Sequence, residues 1–213
     1  MDKIFYNEAS AAKLGWTPEW FGAYDFDEGL LKKIRIFQRE HNLVADGLCG
    51  PMTYRRIRTV RESQFEEYQQ KEIREGSSNH ILYNNDYYPI EWHKVVLPFN
   101  ANGLKSTRGF KKMTKVRKPK MFVSHWDVCL SSESCFKVLE KRGLSVHFAI
   151  DNDGTIFQFL DMNHIAYHAG GKFNTTSVGV EISNAYYPKY NSWYKRQGFG
   201  ERKLIKGQKI HGK

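Results

Sequence analysis

The sequence predicts a mixed α/β protein, in which a small all-helical N-terminal module precedes a mixed β-sheet flanked by helices. Apolar side chains recur at helical spacing near the start, with Leu30, Ile34 and Phe37 at i, i+4 and i+7. Short runs rich in β-branched and aromatic residues begin near residue 120. Because helical segments alternate with these runs, helices packed on a sheet are the expected arrangement.

Length and composition favour one large or two small packed domains. The chain has 213 residues, of which 40% are hydrophobic and 15% aromatic, so disorder is not expected. No apolar run approaches the roughly 18 residues of a membrane-spanning helix, and the first 16 residues lack the apolar core of a secretory signal. The sequence therefore predicts that the protein is made in the cytoplasm and that it does not insert into a membrane.

The net charge of +10 is concentrated in two runs. Residues 103–120 hold eight basic residues and no acidic one, and residues 185–213 hold eight basic residues against Glu201 alone. Such runs suit a polyanion, which leaves nucleic acid, an anionic membrane and an acidic bacterial cell wall as partners. Plain solubility is an equally good interpretation of either run.

Helix and turn signals define the N-terminal module. Asp27 is the expected N-cap of the first amphipathic helix and Asn42 its expected end. The pairs Asp46–Gly47 and Gly50–Pro51 predict turns, and Pro51 suits the first turn of a further helix.

These turn residues resemble the signature of a peptidoglycan-binding module, F-Q followed by D-G-x-x-G-P-x-T. The matching residues are Phe37, Gln38, Asp46, Gly47, Gly50, Pro51 and Thr53. The resemblance implies a wall-binding module over residues 1–65, and a helical domain of unrelated function is the alternative. Residues 66–85 are charged and then rich in Gly and Ser, which predicts a helical extension and a linker. The remaining residues, 86–213, form the second predicted domain.

The second domain is predicted to alternate strands with a helix. A buried strand over Met121–Trp126 is followed by a helix that Ser131 or Ser132 would cap and Gly143 would end. Two further strands flank Asn152-Asp153-Gly154, a strong hairpin signal. The run "SVGVEISN" predicts a fourth strand.

Four titratable side chains lie in or at the ends of these apolar strands: His125, His147, His168 and Glu181. Burying such groups costs several kcal/mol, unless each finds a hydrogen bond, a counter-charge or a metal. Their spacing matches no H-E-x-x-H, G-x-S-x-G or phosphate-binding loop. The three cysteines, Cys49, Cys129 and Cys135, show no metal or disulfide spacing, so they are predicted to be small apolar residues.

Four motifs in order resemble the zinc amidases that cleave N-acetylmuramoyl-L-alanine: "FVSHW", "SVHFAIDNDGTIFQFLD", "AYHAGG" and "NTTSVGVEISN". The resemblance implies that His125 is a Zn²⁺ ligand and that Glu181 is the general base. It implies a substrate-contacting or supporting role for His168, His147 and Asn174. Val146 occupies the position of a catalytic tyrosine in some members, which strengthens the case for Glu181.

The family completes its zinc site with two ligands near the C-terminus of the domain. After Glu181 this sequence offers only His211, so the resemblance places the remaining ligands beyond Lys213. It therefore predicts a catalytic domain that is incomplete at its C-terminus, with an exposed sheet face that self-association could cover.

Together with the wall-binding motif, the resemblance implies a phage endolysin. Such an enzyme is made in the host cytoplasm and acts on peptidoglycan after release, with no nucleic-acid partner. The alternative is a non-enzymatic peptidoglycan-binding protein with an incomplete zinc site.

Overall fold

The structure is a computed structural model that describes residues 2–65 and 79–200. Helices dominate the first of these ranges and are interspersed with strands in the second. The α-helices are α1 (Lys3–Leu14), α2 (Glu28–Glu40), α3 (Pro51–Phe65), α4 (Ser132–Arg142), α5 (Gly171–Thr176) and α6 (Asn191–Arg196). None of the described helices is long and apolar enough to cross a membrane.

Nine strands lie in the second described range. They are β1 (His80–Tyr83), β2 (Asp86–Pro89), β3 (Val95–Val96), β4 (Phe110–Lys111), β5 (Met121–Trp126), β6 (Phe148–Ile150), β7 (Ile156–Gln158), β8 (Ile165–Ala166) and β9 (Ser177–Ile182). Five of them form the central sheet in the order β3-β7-β6-β9-β5. Only β6 and β7 pair antiparallel there, so the sheet is mixed, as predicted.

The predicted helix starts at Asp27, Pro51 and Ser131 and the predicted end at Gly143 are confirmed, whereas α2 ends at Glu40, before the predicted Asn42. The Asp27 side chain accepts a hydrogen bond from the Leu30 amide at 2.8 Å and caps α2. Helix α3 begins at Pro51. The Ser131 side chain caps α4, which ends at Gly143 in the left-handed conformation with φ 68°.

Two predictions about the strands are wrong. The sequence predicts a buried β5, but Met121 is 42% and Phe122 72% exposed. Within the described residues β5 pairs only with β9 and is an edge strand, which explains this exposure. The hairpin β1–β2 begins inside residues 66–85, predicted as extension and linker. Its turn uses Asn84 and Asn85 at φ 54° and 67°, which asparagine tolerates.

The other part of the predicted extension, residues 66–78, lies outside the described residues. The same is true of residues 201–213, which include His211 and the chain end at Lys213. The predictions that His211 could be a ligand and that the remaining family ligands lie beyond Lys213 therefore stay predictions.

The helical unit, residues 2–65, shares one hydrophobic core with the sheet domain. Buried side chains from both parts form a single cluster: Leu14, Trp16, Leu30, Ile34 and Tyr54 from the helical unit, and Cys135, Val138, Leu139, Ala149 and Phe157 from the sheet domain. Polar contacts reinforce it, since Ser134 Oγ lies 2.6 Å from both Glu62 carboxylate oxygens. The helical unit therefore packs as part of one body in this structure.

Candidate active site

Strand register places two of the predicted site residues side by side. His125 on β5 lies opposite Glu181 on β9, which lies opposite Ala149 on β6. Residues paired across neighbouring strands direct their side chains to the same face of a sheet. Ala149 is fully buried in the core shared with α4, whereas β5 is the edge. The His125–Glu181 pair therefore lies where the core meets solvent.

His168 reaches this pair from outside the central sheet. It follows β8, and its Nδ1 lies 3.0 Å from His125 Nε2. Its ring lies directly over Gly179, where an added Cβ would stand 2.7 Å from the ring carbons. Glycine at this position of β9 is what allows the two imidazoles to meet.

A chain of hydrogen bonds assigns the protons on the two rings. Ser177 Oγ donates to the Phe173 carbonyl at 2.6 Å, so it accepts from His168 Nε2 at 3.1 Å. His168 Nδ1 then carries a lone pair and accepts from His125 Nε2–H. Burial lowers the pKa of both rings, that of His168 to about 4 with a further contribution from His125. Both imidazoles are therefore neutral at pH 7.

Glu181 is buried and incompletely hydrogen-bonded. Its side chain is 8% exposed, and its Oε2 has no hydrogen-bond partner among the described residues. Burial raises the pKa of Glu181 to about 7, while the positive charges of Arg55 and Arg142 oppose that rise. A carboxyl group with these properties can accept and release a proton near neutral pH, as a general base must.

His147 is a buried supporting residue. Its ring is fully buried, its Nδ1 accepts from the Gly179 amide at 3.0 Å, and its Nε2 donates to the His164 carbonyl at 3.0 Å. Burial is the main reason that its pKa falls to about 3. Of the two roles predicted for His147, substrate contact does not agree with this burial. The ring instead ties β6 to β9 beneath His168, whose centroid is 6.3 Å away.

Asn174 holds the loop that carries His168. Its Oδ1 accepts from the amides of His168 at 3.1 Å and Ala169 at 2.8 Å. Both bonds fix the backbone after β8, so the predicted supporting role is the one its contacts favour.

The described residues do not complete a zinc site at His125. His168 is the metal-binding side chain that meets it, and no third His, Cys, Asp or Glu donor joins this pair within residues 2–65 and 79–200. Three donors do converge elsewhere, since Asp127, Cys129 and Cys135 place their ligand atoms within 4.8 Å of one another. The sequence predicts that both cysteines are ordinary small apolar residues. The only signal for the cluster in the sequence is that Cys135 follows Cys129 by six residues, shortly after Asp127.

Residues of the wall-binding signature bond to one another inside the helical unit. Gln38 is 2% exposed, and its Nε2 lies 2.8 Å from Asp46 Oδ1 and 3.1 Å from both Leu48 O and Thr53 Oγ1. Its Oε1 accepts from the Gly47 amide at 2.9 Å. These bonds hold the D-G turn, so this part of the signature builds the fold of the module.

The other signature residues also have structural contacts. The Gly50 carbonyl accepts from the Tyr54 amide at 2.8 Å where Pro51 begins α3. The Phe37 ring stacks on His41 with centroids 4.0 Å apart.

Comparison with protein families finds a match to part of the chain. Residues 115–202 match the family described as N-acetylmuramoyl-L-alanine amidase. This stretch includes His125, His168 and Glu181. No curated protein matches the chain significantly.

Several solved structures are partly similar. A selenomethionine AmpD derivative is 17% identical with a TM-score of 0.28, over 47% of this chain and 78% of that one. Wild-type Drosophila PGRP-LB is 22% identical with a TM-score of 0.31, over 42% and 59%. A mutant endolysin from Bacillus subtilis is 24% identical with a TM-score of 0.30, over 43% and 62%. The chain thus spans about three fifths of the last two proteins.

Proposed function

We propose that the sheet domain hydrolyses the amide bond between N-acetylmuramic acid and L-alanine in peptidoglycan. The observation that carries the proposal is the grouping of His125, His168 and Glu181 on one face of the sheet edge. The family match over residues 115–202 supports it, because it includes all three residues.

Glu181 supplies the proton chemistry in this proposal. Hydrolysis of an amide needs a base that takes a proton from water and an acid that delivers one to the leaving nitrogen. With a pKa raised to about 7, Glu181 is partly ionised at neutral pH and can fill both roles in turn. The Ser177–His168–His125 chain of hydrogen bonds holds the two neutral imidazoles on the sheet face to which Glu181 belongs.

Zinc belongs to the proposal only through the resemblance to zinc amidases. When bound, zinc acts as a Lewis acid and lowers the pKa of a bound water to about 7. His125 is the side chain that the resemblance assigns to it. Because the described residues supply only His125 and His168 there, no catalytic step is assigned to the metal.

For the whole chain we propose a lytic enzyme of the phage endolysin type, with the helical unit in contact with the cell wall. A net charge of +10 suits an acidic wall polymer. Synthesis in the host cytoplasm and action on the wall after release are parts of the same proposal.

A second candidate function is peptidoglycan binding without hydrolysis. The observation that favours it is the two-residue grouping at His125, which among the described residues falls short of the three protein ligands of a catalytic zinc site.

Product analysis separates the two functions. Purified walls are digested with the whole chain and zinc, and new amino termini and new reducing ends are measured. Amidase activity predicts new L-alanine amino termini without new reducing ends. Binding to the walls with neither product would favour the second candidate, and reducing ends alone would place the cleaved bond in the glycan strand.

A further inference from the structure

Asp127, Cys129 and Cys135 form a buried cluster just beyond the end of β5. The three side chains are between 1% and 3% exposed, and their ligand atoms all lie within 4.8 Å of one another. The proposed hydrolysis uses none of them. A buried group of one carboxylate and two thiols needs a separate physical explanation.

The backbone of this cluster is strained in a way that brings its donors together. Val128 has φ 59°, a left-handed conformation that is rare for a β-branched residue. This turn places Cys129 Sγ 3.4 Å from the Asp127 carbonyl and its amide 2.9 Å from Asp127 Oδ1. Thr59 Oγ1 on α3 lies 3.0 Å from the carbonyl oxygens of both Val128 and Arg55, and its contact with Val128 links the turn to the helical unit.

Asp127 is surrounded by neutral donors. Its Oδ1 accepts from the amides of Cys129 and Asn184, and its Oδ2 accepts from Ser183 Oγ at 3.2 Å. Within the described part of the chain it forms no ion pair with a lysine, arginine or histidine. A carboxylate accepts about four hydrogen bonds, so Oδ2 keeps a free lone pair for a further partner.

The geometry of the cluster suits three of the four ligand positions of a tetrahedral zinc ion. Zn–S and Zn–O bonds of about 2.3 and 2.1 Å separate neighbouring ligand atoms by roughly 3.6–3.8 Å. Atoms that already lie within 4.8 Å of one another would have to close by about 1 Å at most. Two thiolates select zinc over magnesium or calcium. Both cysteines are free thiols in this structure.

We propose that Asp127, Cys129 and Cys135 bind one zinc ion, at a site separate from the His125–His168 pair. Binding replaces the two thiol protons, so each zinc ion bound as Zn²⁺ releases two protons from the cysteines. The ion would link the end of β5 to the first turns of α4. Through Asp127 it would also link them to Ser183 and Asn184, which follow β9.

Cobalt titration of the whole, reduced, metal-free chain tests this site. Thiolate ligation predicts an intense near-ultraviolet sulfur-to-cobalt band that saturates at one equivalent and that zinc removes. The same equivalent of zinc should protect two of the three thiols from a thiol reagent. Cys129→Ser and Cys135→Ser should abolish the band. His125→Ala, and Cys49→Ser at the third buried cysteine, should keep it.

Several results would overturn the proposal. The absence of a thiolate band from the wild-type chain would do so, and this readout does not depend on whether a serine variant folds. A band that is lost with His125→Ala but kept in both serine variants would place the metal elsewhere. A single titratable thiol in the unfolded, unreduced chain would show a disulfide instead. None of these results bears on amide hydrolysis, which product analysis tests separately.

Discussion

Gln38 in the helical unit and Glu181 in the sheet domain are both buried polar side chains, but their hydrogen bonding differs. Gln38 Nε2 lies within 3.1 Å of three acceptors, and its Oε1 accepts from a backbone amide. Glu181 Oε2 is buried with no partner among the described residues, and burial raises the pKa of its carboxyl. Both residues stand in sequence motifs, so the motif alone does not separate their roles.

The difference indicates what each residue contributes. A buried side chain whose polar atoms are all hydrogen-bonded stabilises its turn, and its removal leaves several buried groups unpaired. A buried carboxyl that lacks hydrogen-bond partners costs stability, and such groups concentrate at functional sites. We therefore expect loss of Gln38 to lower stability, and loss of Glu181 to lower activity without lowering stability at neutral pH.

Glu181→Gln should have the largest effect. The variant keeps the shape but removes the base, so we expect a loss of about 10²–10⁴-fold in the rate of wall hydrolysis. Initial rates on purified walls measure it, with Glu91→Gln at an exposed position as the control. Near-normal hydrolysis by the Glu181→Gln variant would move the base elsewhere, and His168 would be examined next.

Gln38→Ala should have the next largest effect, and on stability. Asp46, Leu48, Thr53 and Gly47 would lose a buried partner, which should cost on the order of 3 kcal/mol of unfolding free energy. Urea unfolding measures it, and Gln64→Ala on an exposed face of α3 is the control. An unchanged unfolding free energy of Gln38→Ala, together with slower wall hydrolysis, would contradict the structural role assigned to Gln38.

Gly179→Ala should have a smaller effect on activity. The new Cβ would lie 2.7 Å from the His168 ring and displace it from His125. Misplacing one side chain of the site should lower the hydrolysis rate on the order of tenfold. In a His168→Ala background the same change should have almost no further effect, because the clashing ring is gone. Equal losses in both backgrounds would show that the clash is not the cause.

The sequence predicts the strands that carry His125 and Glu181 better than it predicts the surroundings of those strands. His125 and Glu181 can be placed together because both lie in strands with a clear apolar pattern, and parallel pairing aligns them. The exposure of Phe122 could not be predicted, because an apolar run does not show whether its strand is central or at an edge.

Long-range packing is the least predictable feature. Leu30 and Ile34 form a stripe whose partner could equally be another helix of the module or the sheet domain. The Asp127 cluster depends on the left-handed turn at Val128, which no propensity favours. Glycine and asparagine turns can be recognised in the sequence, whereas a strained valine gives no local signal.

The contrast is between Gln38, which is fully hydrogen-bonded, and Glu181, which is not. It is tested most directly by measuring the unfolding free energy of the wild type and of Glu181→Gln across pH. The folded pKa of about 7 exceeds the unfolded value of 4.5, so the folded state binds more protons between these values. The wild type should therefore lose stability relative to the variant as pH rises from 4.5 to 7, by about 3 kcal/mol in total. A difference between the two proteins that stays constant from about pH 4 to 8 would contradict the account.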